Sequence, residues 1–103
     1  MSNTCDQNQI SIIVVNYNAG DALFDCISSV VGRVGEIVIV DNASSDQRIE
    51  KVVNEFGPDT DVTVIKLSEN LGFSTACNIG YKQASGQYLF FLNPDCVVEA
   101  DTI

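Results

Sequence analysis

An open α/β sheet of parallel strands is the fold class this sequence predicts, and three observations predict it. Short, nearly unbroken apolar runs at residues 10–15, 37–40 and 88–92 have the character of strands covered on both faces. Stretches with helical spacing of apolar residues separate them. Each run then stops abruptly at a polar turn: Asn16-Tyr17-Asn18, Asp41-Asn42 and Asn93-Pro94-Asp95. In open α/β sheets, ligands bind beyond the carboxyl ends of the strands. Three strands delivering polar side chains to one edge therefore point to a ligand site built from loops.

The elements follow in order. Residues 1–9 are polar and read as a flexible leader. Residues 10–15 form the first strand. After a loop at 16–20, Leu23, Cys26, Ile27, Val30 and Val31 give one apolar helical stripe, ended by Gly32 and Gly35. Residues 37–40 form the second strand. A loop of cap-forming residues, 41–45, precedes a helix with Ile49, Val52, Val53 and Phe56 on one face. Gly57-Pro58 stops it.

Residues 62–67 form the third strand. Thr63 and Lys66 interrupt its apolar run, which places it at a sheet edge. Residues 68–73 are a loop, and Ser74 is the expected N-cap of a helix that turns Ala76, Ile79, Gly80 and Ala84 inward. Gly86 ends that helix, residues 88–92 form the fourth strand, and another helix is expected to begin near Glu99. The alternation β-α-β-α-β-α-β predicts right-handed crossovers within one domain.

Composition narrows the function classes. The chain has 103 residues, 46% of them hydrophobic, enough for a core. Fourteen acidic against five basic residues give a net charge of -9, which disfavours nucleic acid and anionic membrane as partners. A phosphate-bearing ligand remains compatible if a divalent cation stands between phosphate and carboxylate. Cysteines at 5, 26, 77 and 96 form no C-x-x-C pair and there is no histidine, which argues against zinc. Cys26 and Cys77 fall in helical patterns and read as small buried hydrophobes. No signal peptide or disulfide spacing is evident and no apolar run approaches a membrane span, so the expected compartment is a reducing cytoplasm.

Several residues carry candidate chemistry, each beside a plainer reading. The loop after strand one has one glycine and no G-x-G-x-x-G, which disfavours a dinucleotide oxidoreductase. Asp41 is either a turn former capping the next helix or a carboxylate that reads a base or ribose. Tyr17 is a half-buried aromatic or a platform for a planar base. Asn93-Pro94-Asp95 is a type I turn, or a hard-cation site offering oxygen ligands to Mg²⁺ or Mn²⁺ beside a diphosphate. Asn70 precedes a glycine suited to positive φ, and Asn78 faces either the same rim or solvent.

Together, residues 11–18 (SIIVVNYN), 37–44 (IVIVDNAS), 70–73 (NLGF) with Asn78, and 90–95 (FFLNPD) resemble the inverting family 2 glycosyltransferases of GT-A fold. Four motifs in this order and spacing, over residues 10–103, carry the resemblance. It implies a Rossmann-like parallel sheet in strand order 3-2-1-4, helices on both faces, and transfer of a hexosyl or deoxyhexosyl group from a nucleotide-diphospho-sugar. By resemblance, Val15 (through its backbone) and Tyr17 hold the nucleoside, Asp41 reads base or ribose, and Asn70 and Asn78 line the donor site. Asp95 matches the last acid of the family's D-x-D motif, which binds a divalent metal, Mg²⁺ or Mn²⁺, and the diphosphate; Asn93 stands where the first acid would be. Asn-Pro-Asp is similar to the rhamnosyl- and galactofuranosyl-transferase branch, which implies a dTDP- or UDP-sugar and favours a deoxyhexose such as rhamnose.

The resemblance also implies that the general base and the saccharide- or lipid-linked acceptor region lie beyond residue 103. The chain is then the donor-binding half of a longer enzyme, inactive alone, with membrane association of that enzyme left open. A fourth strand left as a bare apolar edge would promote self-association. The alternative is a non-catalytic nucleotide-binding or regulatory module of the same shape. A receiver-like domain fits poorly, because Asp41 lacks adjacent acidic partners.

Overall fold

In the computed structural model, residues 9–58, 61–95 and 97–98 are described. Strands β1 (Ile10–Asn16), β2 (Glu36–Asp41), β3 (Val62–Lys66) and β4 (Tyr88–Leu92) alternate with helices α1 (Asp21–Val30), α2 (Ile49–Phe56) and α3 (Phe73–Gln83). All three strand pairings are parallel, and the order is β3-β2-β1-β4. The chain thus builds outward from β1 to β3, then returns to place β4 on the other side of β1. That reversal opens a crevice between β1 and β4 at the carboxyl ends.

Alternation along each strand divides the core between two faces. Ile12, Val14, Ile37 and Ile39 pack against Leu23, Ile27 and Val30 of α1 and Ile49 and Val52 of α2. Ile13, Val38 and Val40 pack instead against Ala76 of α3. The helices therefore cover both faces. Phe24 and Phe56 meet at 5.2 Å between ring centroids and join α1 to α2. On the other face Gly80 lets α3 sit close: a Cβ there would lie 2.6 Å from Ile13 Cγ2 and 3.2 Å from Val40 Cγ2.

β1 and β2 are almost wholly buried, as two central strands must be. β3 lies at an edge, as its interrupted pattern predicts, and closes polar: Lys66 pairs with Glu50. β4 forms the other edge. Leu92 packs on the core, but the aromatic residues are left open; Phe90 is 52% and Phe91 53% exposed.

Four local expectations are corrected. Ser74 does not cap α3: the helix begins at Phe73, with Gly72 at the N-cap position and no side-chain cap. Gly72 enters the helix at φ +87°, which a side chain rarely permits, and its carbonyl accepts the Ala76 N–H at 3.2 Å. Asp41 does not cap α2 either, since Arg48 occupies that N-cap position; its carboxylate closes a turn onto the Ser44 N–H at 3.2 Å. α1 ends at Val30, ahead of Gly32, because Val31 is already extended. Cys77 is only half-buried, unlike Cys26. The leader, apart from Gln9, and the helix expected near Glu99 lie outside the described residues.

Candidate active site

At the carboxyl ends of the strands lies an open cleft of about 430 Å³. Val15 and Tyr17 line it from the end of β1, and Asn93 and Pro94 from the turn after β4. Asn42, Asn70, Gly72 and Phe73 form the opposite wall. Tyr17 and Phe73 bring exposed rings to this space, 53% and 63% accessible. An apolar, aromatic lining with a few carboxamides is the character of a site for a planar, polar-edged ligand. Beneath it, Cys77 helps line a small recess with Ile13 and Phe91, and burial pushes its thiol pKa up.

Of the residues singled out in the sequence, Val15, Tyr17, Asn70 and Asn93 come together in this cleft. Asp95 is exposed in the turn directly after Pro94. Asp41 lies deeper and only 4% exposed, in the strand beside β1, and is not part of the lining. Asn78 is exposed on α3, also outside the lining. Asn42, Gly72, Phe73 and Pro94 line the cleft without having been singled out as site residues.

Why the loops hold this shape follows from asparagine chemistry. A carboxamide donates and accepts at once, so it can splice two backbones as a peptide group would. Asn16 continues β1 into the loop, and its Nδ2 donates to Asp41 Oδ1 at 2.8 Å and to Ser44 Oγ at 3.2 Å. Asn18 Oδ1 accepts from the backbone N–H groups of Ser45 at 2.7 Å and Asp46 at 3.1 Å. Asp46 Oδ2 in turn accepts the Gly20 N–H at 2.9 Å. These bonds tie the β1 loop to the β2 loop. Asn42 ties the β2 loop to the β3 loop: its Oδ1 accepts the Leu71 N–H at 2.8 Å, and its Nδ2 donates to the Gly72 carbonyl at 3.1 Å. Ala43, next in the chain, takes φ +62°, a left-handed conformation uncommon for a residue with a side chain.

The Asn93–Asp95 turn bears on metal binding. Among the described residues no group of three His, Cys, Asp or Glu side chains gathers to cage an ion. One exposed carboxylate beside a carboxamide oxygen suits a hard cation that completes its shell with phosphate and water. The residues present therefore fit a shared ion and not a self-sufficient metal centre. No helix among the described residues is long and apolar enough to cross a membrane.

Comparison with known proteins places this geometry. Poly-beta-1,6-N-acetyl-D-glucosamine synthase of Staphylococcus epidermidis is 35% identical over 95 residues, covering 89% of this chain and 23% of that protein. The chain thus spans about a quarter of the length of such relatives. The mannosyltransferase PcManGT from Pyrobaculum calidifontis, solved with GDP-Man and Mn²⁺, has the same fold, with a TM-score of 0.79 at 24% identity over 89% of this chain and 29% of its own. TarS (residues 1–349) of S. aureus, solved with UDP-GlcNAc, gives 0.78 at 26% identity over 90% of this chain and 28% of its own. Residues 11–103 match the family model for glycosyl transferase family 2. With the parallel 3-2-1-4 sheet and its carboxyl-end cleft, this match makes the chain a member of glycosyl transferase family 2.

Proposed function

We propose that this chain is the donor-binding half of a glycosyltransferase, holding a nucleotide-diphospho-sugar in the cleft between β1 and β4. The observation that carries the reading is the meeting of Val15, Tyr17, Asn70 and Asn93 around one 430 Å³ space at the carboxyl ends of the strands. Val15 presents backbone groups and Tyr17 its ring to the nucleoside. Asp41 is assigned to base or ribose by the family resemblance; its carboxylate, buried just outside the lining, is held by Asn16 and the Ser44 N–H. Asn70 bounds the donor, and Asn78, which the family resemblance assigns to the same site, stands exposed on α3 outside the lining.

Asp95, with Asn93, would hold Mg²⁺ or Mn²⁺ against the diphosphate; bound there, such an ion stabilises charge on the leaving phosphate. In an inverting transfer the acceptor hydroxyl oxygen bonds to the anomeric carbon as the bond from that carbon to the diphosphate breaks. The hydroxyl proton passes to a general base. No residue of this chain is assigned that role, so binding without turnover is expected of it alone.

Two donor readings have separate support. The Asn93-Pro94-Asp95 triplet favours a deoxyhexose donor such as dTDP-rhamnose. The synthase and TarS relatives favour UDP-N-acetylhexosamine. The exposed aromatic edge of β4 supports self-association of the isolated chain, and the net charge of -9 disfavours a nucleic-acid partner. Calorimetric titration of dTDP and UDP, with and without Mn²⁺, tests the proposal. Metal-dependent binding that Asp95→Ala abolishes without lowering the melting temperature is the expected result; no binding of either nucleotide with Mn²⁺ present overturns it.

A further inference from the structure

The segment leading into α3 lines the cleft with Asn70, Gly72 and Phe73, yet its own sequence, Asn70-Leu71-Gly72-Phe73, has little to hold it. Leu71 and Phe73 are exposed, so no apolar anchor fixes the segment. Asn70 Oδ1 accepts the Gly72 N–H at 2.8 Å, a bond internal to the loop. Among the described residues, its side-chain tie to the sheet is Asn42.

We infer that Asn42 is a positioning residue for nucleotide binding, a latch whose carboxamide sets the distance between the β2 end and the loop wall of the cleft. The inference rests on the proposed donor site. Three features argue it. First, Asn42 is itself fixed: its N–H donates to the Asn16 carbonyl at 2.8 Å, extending the β1–β2 ladder, and the residue is only 3% exposed. Second, it grips at two points on adjacent residues, so the loop can neither slide nor rotate about one bond. Third, the Gly72 carbonyl it engages also accepts the Ala76 N–H, so the same grip sets where α3 begins and where Phe73 stands. Aspartate cannot substitute. It would keep the acceptor for Leu71 but replace the donor with an oxygen facing the Gly72 carbonyl.

The test uses Asn42→Asp and Asn42→Ala in the full chain, with Glu36→Ala as control. Glu36 accepts from Ser11 and Ser85 at the amino end of the sheet, far from the cleft, so that variant reports stability loss alone. Amide hydrogen exchange at Leu71 is followed without ligand, and affinity for UDP and dTDP is measured with Mn²⁺. The expected result is faster exchange at Leu71 in Asn42→Ala, which removes its acceptor, and affinity weakened about tenfold in both Asn42 variants, as loss of one well-formed hydrogen bond's worth of loop fixation predicts. Glu36→Ala should leave affinity unchanged. Unaltered exchange at Leu71 in Asn42→Ala overturns the latch, as does wild-type affinity in both Asn42 variants. Should the unsubstituted chain bind neither nucleotide, the donor-site reading fails, while exchange at Leu71 still decides whether Asn42 holds the loop.

Discussion

Gly80→Ala tests how closely α3 must approach the sheet. In an exposed helix this change would stabilise by about 1 kcal/mol, because glycine loses more backbone entropy on folding. Here the added methyl meets Ile13 Cγ2 at 2.6 Å and Val40 Cγ2 at 3.2 Å. Both partners are β-branched, stiff about χ1, and fully buried on adjacent central strands, so neither can swing aside. Overpacking of this kind costs roughly 1–3 kcal/mol. Set against the helix gain, the expected net loss is about 1 kcal/mol, or a fall in melting temperature of about 4–8 °C for a domain of this size. Thermal denaturation followed by circular dichroism reads it. In an Ile13→Leu background, which lacks the obstructing γ2 methyl, Gly80→Ala should cost less. The neighbouring case sharpens the reasoning. A Cβ at Gly86 would meet the Gln9 carbonyl at 2.7 Å and the Ser11 nitrogen at 2.9 Å, both backbone, so Gly86→Ala should destabilise more than Gly80→Ala. A melting temperature unchanged or raised by Gly80→Ala would refute the account of α3 packing.

Two further outcomes are expected. Burial raises the Cys77 thiol pKa, so the folded state favours the protonated form; that contribution to stability is complete below the unfolded thiol's pKa and is lost as pH rises through the folded value. Alkylation of Cys77 by iodoacetamide, read by mass spectrometry, should accordingly be slower at pH 8 in folded than in denatured protein; equal rates would contradict this. The uncovered β4 edge should make the isolated chain associate as concentration rises, and sedimentation velocity showing only monomer at high concentration would count against it.

The parts of this fold that were legible in the sequence are those encoded by neighbours along the chain. Unbroken apolar runs reveal β1 and β2 because both faces of a central strand are covered, and Thr63 and Lys66 reveal β3 as an edge for the same reason. The convergence of Val15, Tyr17, Asn70 and Asn93 was also within reach, since parallel strands must deliver their ends to one side. Asn42 was not. Its significance lies in Leu71 and Gly72, about thirty residues away, and in the sequence it is one more turn former after Asp41. Ser74 misled because serine is the usual cap, whereas here a positive φ demanded glycine two positions earlier. Phe73, which the sequence gives to the loop, is instead the first residue of α3 and stands open at the cleft.

The two borders of the sheet are finished differently. β3 ends in charge and threonine, while β4 leaves phenylalanines and unpaired backbone uncovered. Any sheet growth is thereby directed to one flank. A strand added there would run alongside β4 and stay remote from Asp41, so new side chains would join the β4 side of the cleft and leave the β2 side untouched. Successive additions at that single seam would reshape one side of the cleft while the other keeps its form.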